Sequence, residues 1–367
     1  MDRETLQETA ARRLANEKRL LCQWATACGK TKVALNFLRD HPEASCLILV
    51  PEQNNIDNWR EEFTKFGIPM ELVRIACYAS FHKYKDTRWN LIVFDEVPHI
   101  DTELRREVCK SVKGDCILAL GAVVDADERA SLEESYGPFE VSTVTLAQGI
   151  EWGIIPKPLI CVIHLELDNT KKRFYFDGQF CTAKEKYLLI NGRLEKAKEA
   201  YAQNETFPNE QKMLRCGNER KRFLGQMKEE AVKSLCRKLD ENGRRYLCFC
   251  PSIRQANAIG GKRAFTSKTP KSMKTLEKFN NHEIDSLFVV SKLIEGQNLV
   301  DIERGIITQL GGTPRITVQC IGRILRSKNP IVYIPVFDDT KDNSFMYAVT
   351  NNIPADCIKH YKYNSLF

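Results

Sequence analysis

Leu20-Leu21-Cys22-Gln23-Trp24-Ala25-Thr26-Ala27-Cys28-Gly29-Lys30-Thr31 runs from an apolar stretch of strand length into a Gly-Lys-Thr turn, and the helix-patterned Lys32 to Arg39 follows at once. A strand that feeds a turn and then a helix is the repeating unit of a parallel α/β sheet. Outward from this stretch the alternation continues. Cys46 to Val50, Leu72 to Ala76, Leu91 to Phe94 and Cys116 to Leu120 have strand character, and Asn55 to Phe66 has the apolar period of a crossover helix. The same alternation returns at Arg245 to Cys250, Ser286 to Val290, Gly305 to Gln309 and Ile331 to Val336. Between the two regions, after a short extended stretch at Leu159 to Leu167, residues from Asp168 to Asn242 are rich in Lys, Glu and Arg and poor in β-branched runs. That segment reads as helices with a solvated charged face. The expected organisation is α/β: a parallel-sheet domain over 1–155, a linker and helical segment over 156–242, and a second parallel-sheet domain over 243–367.

Composition sets the outer bounds. A chain of 367 residues is long enough for two hydrophobic cores. Its 43% hydrophobic and 28% charged residues are those of an ordinary globular protein and exclude collagen, coiled coil and disorder as a class. Apolar runs such as Cys46 to Pro51 fall far short of the roughly 20 residues that cross a bilayer. The charged start Met1-Asp2-Arg3-Glu4 lacks the apolar core of a secretory signal, so the expected location is the cytoplasm, bacterial or phage-infected, with no membrane partner. Of the fourteen cysteines, Cys46, Cys116, Cys161, Cys248 and Cys250 lie inside apolar strand-like runs and read as small core residues; no CxxC pair suggests zinc. The net charge of +7 suits a polyanionic partner without requiring one.

Two motifs carry chemistry. Ala25 to Thr31, between strand and helix, has the setting of a phosphate-binding loop: backbone N–H groups cradle phosphates, Lys30 offsets their charge, and the Thr31 hydroxyl can reach Mg²⁺. The glycine that opens the general pattern is Trp24 here, and by itself the stretch also fits a surface Lys-Thr after a turn. Leu91-Ile-Val-Phe-Asp95-Glu96 is a strand running into two carboxylates, one suited to the metal and one to orienting water, although such a pair can also cap a helix.

With these motifs in order, the chain resembles the superfamily 2 DEAD/DEAH-type helicases, in a compact, phage-like form. Leu47 to Pro51 with Ile56 to Arg60 looks like motif Ia, Ala76 to Ser80 like the segment before the Asp-Glu box, and Leu247 to Ser252 like motif IV. Glu295-Gly296-Gln297-Asn298 looks like motif V and Gln319-Cys-Ile-Gly322-Arg323-Ile-Leu-Arg326 like motif VI. The resemblance implies two RecA-like domains in tandem and an ATP-hydrolysing helicase or translocase that holds ATP between them. The implied catalytic residues are Lys30, Asp95, Glu96, Arg323 and Arg326. Nucleotide contacts fall to Gln7, Ala27, Cys28, Gly29, Lys30, Thr31, Asp95, Gly296, Asn298 and Gln319, Mg²⁺ to Thr31 and Asp95, and strand contacts to Pro51, Ser80 and Ser252.

A helix carrying Gln319, Arg323 and Arg326 would put all three on one face. The implied partner is nucleic acid, single-stranded or branched DNA in preference to RNA, with other replication or repair proteins. Three departures from the family pattern bear on this. Ala27 replaces a glycine, which predicts a strained loop. Pro98 and His99 alter the Asp-Glu box. Gly121-Ala122-Val123 stands where the family has Ser/Thr-Ala-Thr, which leaves open an alternative: an ATP-switched nucleic-acid-binding protein with slow hydrolysis and no unwinding.

Overall fold

The structure is a computed structural model and describes residues 1–97, 103–267, 272–290, 299, 301–311, 314–351 and 353–363. The chain divides into two compact units, one made of Met1–Lys157 and the other starting at Pro158. In the first unit α1 (Arg3–Glu17), β1 (Arg19–Trp24), α2 (Thr31–Asp40), β2 (Cys46–Val50), α3 (Gln53–Phe66) and β3 (Val73–Cys77) are followed by β4 (Arg88–Asp95) and α4 (Glu103–Ser111). Then come β5 (Lys113–Gly121), α5 (Ala126–Tyr136), β6 (Glu140–Val144) and α6 (Leu146–Glu151).

The first sheet has the order β3-β2-β4-β5-β1-β6 and every pairing in it is parallel. The middles of its central strands are apolar because helices cover both faces; all five residues of β2 are fully buried. On one face Phe94 packs edge-on against Phe81, ring centres 6.0 Å apart, beside Leu47, Leu49 and Tyr136. Register decides where the chemistry falls. Asp95 stands opposite Leu120 and Gln23 opposite Gly121, so β4, β5 and β1 end level with one another. Turns at the carboxyl ends of parallel strands are where such sheets hold ligands.

The second unit begins with β7 (Leu159–Leu165), β8 (Phe174–Phe176), β9 (Gln179–Cys181), α7 (Ala183–Gln203), α8 (Phe207–Met227) and α9 (Glu229–Glu241). It continues with β10 (Tyr246–Cys250), α10 (Ile253–Gly260), β11 (Ala264–Phe265), α11 (Ser272–Asn280), β12 (Ser286–Val290) and β13 (Arg304–Ile307). It ends with α12 (Pro314–Ile324), β14 (Ile331–Phe337), α13 (Lys341–Thr350) and β15 (Ile358–Lys362). The second sheet, β11-β12-β10-β13-β14-β7-β15, is also all parallel. Two parallel-sheet α/β units in tandem are thus the architecture. The extended stretch at Leu159 is a strand of this sheet, paired with β14 and β15.

The helical reading of Asp168 to Asn242 fails at one place. Phe174 to Cys181 is an antiparallel hairpin, because Asp177-Gly178, with φ of 50° and 79°, makes the tight turn that a two-residue hairpin needs. Thereafter helices do follow, opened by a capping box in which Thr182 and Glu185 exchange side-chain bonds with backbone N–H groups. Tyr187, Ile190, Phe223, Leu235 and Leu239 pack this helical layer into the core of the second unit. A buried ion pair locks it there: Lys228, after α8, lies 2.6 Å from Asp342 on α13, both side chains fully buried. Asp342 also accepts from Gln309 Nε2 at 2.7 Å and from the Phe337 N–H at 3.2 Å. No helix of the described residues is long and apolar enough to cross a membrane. The five cysteines read as core residues are all buried.

Candidate nucleotide site

Trp24 closes β1 by turning its indole into the sheet, where Nε1–H donates to Ser142 Oγ at 3.0 Å. Its carbonyl faces the following loop and accepts from Lys30 Nζ at 3.0 Å, while the Cys28 N–H donates to the Ala25 carbonyl at 3.3 Å. The loop therefore curls back on itself ahead of α2. The curl is made at Ala27 and Gly29, with φ of 73° and 79°. Glycine is at ease there; alanine is not, and left-handed backbone costs it roughly 1–2 kcal/mol. The strain expected from the missing glycine is present. α2 starts at Thr31 with no side-chain cap, so its first N–H groups and the positive end of its dipole are turned to the loop.

α1 supports this loop from behind. Its buried stripe is Leu6, Gln7, Ala10, Ala11 and Leu14, and the one polar member, Gln7, donates Nε2–H to the carbonyls of Cys28 and Gly29, both at 3.1 Å. A Cβ on Gly29 would lie 2.2 Å from that nitrogen, so position 29 needs glycine for space as well as for φ. The Arg3 guanidinium reaches the Ile154 carbonyl and ties the start of the helix to the segment after α6.

Asp95 ends β4 half-buried. Its Oδ2 accepts the Trp59 indole N–H at 2.9 Å, and its carbonyl accepts the Tyr78 hydroxyl at 2.8 Å. Burial and the adjacent Glu96 carboxylate push the Asp95 carboxyl up to about 6, against the opposing pull of Trp59 and Lys30. Glu96 itself has φ 53°, a second strained residue at the same sheet edge. The site thus gathers an ammonium, a hydroxyl, the positive end of α2 and two carboxylates, a set that fits a nucleotide phosphate chain with a divalent cation. Trp59 and Tyr78 were not singled out in the sequence. Trp59 lies in the buried stripe Ile56, Trp59 and Phe63 of α3 and reads there as plain core.

The chain is similar in sequence and in fold to known proteins. Residues 1–78 match the family described as the type III restriction enzyme, res subunit. Over 357 residues the chain is 25% identical to the DNA 3'-5' translocase XPB2 of Sulfurisphaera tokodaii, covering 88% of this chain and 78% of the relative. Its fold is similar to that of the Hef helicase domain of Pyrococcus furiosus, with a TM-score of 0.62 at 13% identity over 93% of this chain and 97% of that one. In sequence and fold the chain resembles superfamily 2 helicase-type ATPases.

In the second unit, the segment that resembles motif IV ends β10. Ser252 caps α10 by accepting the Gln255 N–H at 3.3 Å, and Gln255, buried, donates Nε2–H to the Gly225 carbonyl at 2.5 Å. Pro51 and Ser80 are half-buried just beyond β2 and β3. On the motif VI helix α12, Gln319 and Arg323 are half-buried. The helix expected to continue through Arg326 ends at Ile324. The Leu325 N–H still reaches the Ile321 carbonyl at 3.1 Å, but the Ser327 N–H bonds Ile324 at 3.1 Å, and this tighter turn carries Arg326 exposed beyond the helix. Gly305 of β13 sets the seat of α12, since a Cβ there would lie 1.9 Å from Ile324 Cδ1. His99, Gly296 and Asn298 lie outside the described residues.

Proposed function

We propose that this chain is a helicase-type ATPase that moves along or remodels DNA, with ATP on the loop around Lys30 and Mg²⁺ held by Thr31 and Asp95. The metal supplies positive charge to the phosphates; Glu96 orients the attacking water, and Arg323 and Arg326 stabilise charge on the transferring phosphoryl group. Gln7, which braces the loop, has its Oε1 available to read adenine. Pro51, Ser80 and Ser252 contact the strand, and Gln319 joins the nucleotide contacts. The observation that carries the reading is the meeting of the Gln7-braced Lys30 loop with Asp95 at one edge of one sheet. The translocase name of the relative XPB2 supports DNA as the track.

One observation favours a second reading, an ATP switch without strand movement. β5 lies between β1 and β4, so Gly121-Ala122 stands between the loop and Asp95 with no hydroxyl to relay a change from one to the other. ATP turnover measured in turn with single-stranded, duplex and forked DNA and with RNA separates the two. Stimulation by DNA is expected. Turnover indifferent to every nucleic acid would overturn the motor and leave the switch.

A further inference from the structure

Along α8, Gln211, Arg215, Asn218, Arg222 and Gln226 follow one another at steps of four, three, four and four, which places them on one helical face. All five are exposed, and among the described residues none of them has a hydrogen-bond or ion-pair partner. They line a groove of about 810 Å³ whose far wall carries Lys186 of α7 and whose floor includes Ile190 and Phe223. Among the described residues Glu219 is the one carboxylate in its lining. The neighbouring Arg220 differs: it is buried, bonded to Asn191 at 2.7 Å and near Glu195 at 4.0 Å. The stripe is therefore not a by-product of packing. It is a row of hydrogen-bond donors, two of them guanidinium, about 5–6 Å apart and extending ~22 Å.

The β8–β9 hairpin borders this groove. Its inner face is used, with Phe174 edge-on to Phe223 at 5.8 Å and Lys186 over the Phe174 ring at 5.1 Å. Its outer face holds Tyr175 opposite Phe180, ring centres 5.4 Å apart, 65% and 63% exposed. The Arg193–Asp177 ion pair holds the turn in place. Two large rings left in water at the tip of a braced hairpin offer flat faces to a ligand with flat faces of its own. The charge agrees: Asp168 to Met227 contains thirteen Lys and Arg against eight Asp and Glu, most of the net excess of the whole chain.

We propose that the α8 stripe and the β8–β9 hairpin form a binding track for a single nucleic-acid strand, phosphates along Arg215 and Arg222, bases stacked on Tyr175 and Phe180. Evenly repeated donors match a ligand with evenly repeated anions, and aromatic faces accept any base, so the track is insensitive to sequence. The inference rests on the motor reading and adds to it a grip outside the helicase motifs.

The test uses the full chain and a labelled oligothymidylate, with binding measured over a range of salt and ATP turnover measured without nucleic acid. Arg215→Gln with Arg222→Gln should weaken binding and make the salt slope shallower by about 1.4, from about 0.7 for each lost phosphate contact. Tyr175→Ala with Phe180→Ala should weaken binding about tenfold or more at an unchanged slope, because stacking is lost and no ion pair is. All four positions are exposed, and turnover without nucleic acid should stay at the parent level for both pairs. Parent affinity and parent slope in both pairs would overturn the track and assign the surface to an acidic protein partner. If the unaltered protein neither binds the strand nor responds to DNA, the motor reading itself falls, and the track with it.

Discussion

Ala27 and Glu96 both hold left-handed backbone, one within the loop around Lys30 and the other just beyond Asp95 at the end of β4. Strain of this kind persists only where surrounding structure over-determines it, here the Gln7 bonds to the loop on one side and the Tyr78 bond to the Asp95 carbonyl on the other. Ala27→Gly should therefore raise stability by about 0.5–1 kcal/mol, the relief of strain being partly offset by the greater freedom of glycine in the unfolded chain. Urea unfolding measures this, and a lower midpoint would mean the loop is not strained at Ala27. The charged residues separate by role. Lys30→Ala should abolish ATP hydrolysis in a folded protein, because no other group answers the phosphate charge from within the loop. Glu96→Gln should keep ATP binding while hydrolysis fails; loss of nucleotide affinity in Glu96→Gln would show that its role belongs with that of Asp95.

At the scale of elements, α12 lies directly on β13 because Gly305 has no side chain, and a methyl group there meets Ile324. Gly305→Ala should cost about 1–3 kcal/mol by overpacking and displace the helix that bears Arg323. Stability and ATP turnover should fall together; turnover at the parent level in a destabilised variant would separate the seat of α12 from the chemistry. The helical layer is fixed by the buried pair Lys228 and Asp342. Burial drives the Lys228 ammonium below its ordinary pKa, against the pull of the Asp342 carboxylate beside it. Lys228→Met leaves that carboxylate buried without its cation, and a loss of about 3–5 kcal/mol is expected in denaturant unfolding. A near-neutral result would mean that Gln309 and the Phe337 N–H satisfy Asp342 by themselves.

For the molecule as a whole, the informative residue is Arg326, almost three hundred residues beyond Lys30 and in the other unit. If its charge is used as the phosphoryl group transfers, Arg326→Ala should lower turnover by roughly 10³-fold with little change in nucleotide affinity. Arg326→Lys should recover little, since an ammonium cannot reproduce the planar guanidinium fork. Steady-state turnover and equilibrium nucleotide binding on both variants decide it. Unchanged turnover in Arg326→Ala would confine the ATP chemistry to the first unit.

What the sequence by itself determined is whatever depends on neighbours along the chain. The central strands β1, β2, β4, β5, β10 and β12 are legible because burial on both faces demands continuous apolar runs, and the loop around Lys30 and the Asp95-Glu96 pair are legible because each motif is contiguous. The strands that were not legible are largely those at sheet edges: β6 and β15, where half-exposed residues leave a mixed pattern, and β11, whose two buried residues are too few to show one, together with the short hairpin hidden in a charged segment. Only the tertiary structure decided that Gln7 spends its amide on the loop carbonyls, that Trp59 and Tyr78 hold Asp95, and that the charge of α8 gathers along one groove. Each of these joins residues distant in sequence through contacts that leave no local period or motif. A glutamine, a tryptophan and a tyrosine in apolar stripes look like core until the folded chain shows which polar atom each one reaches.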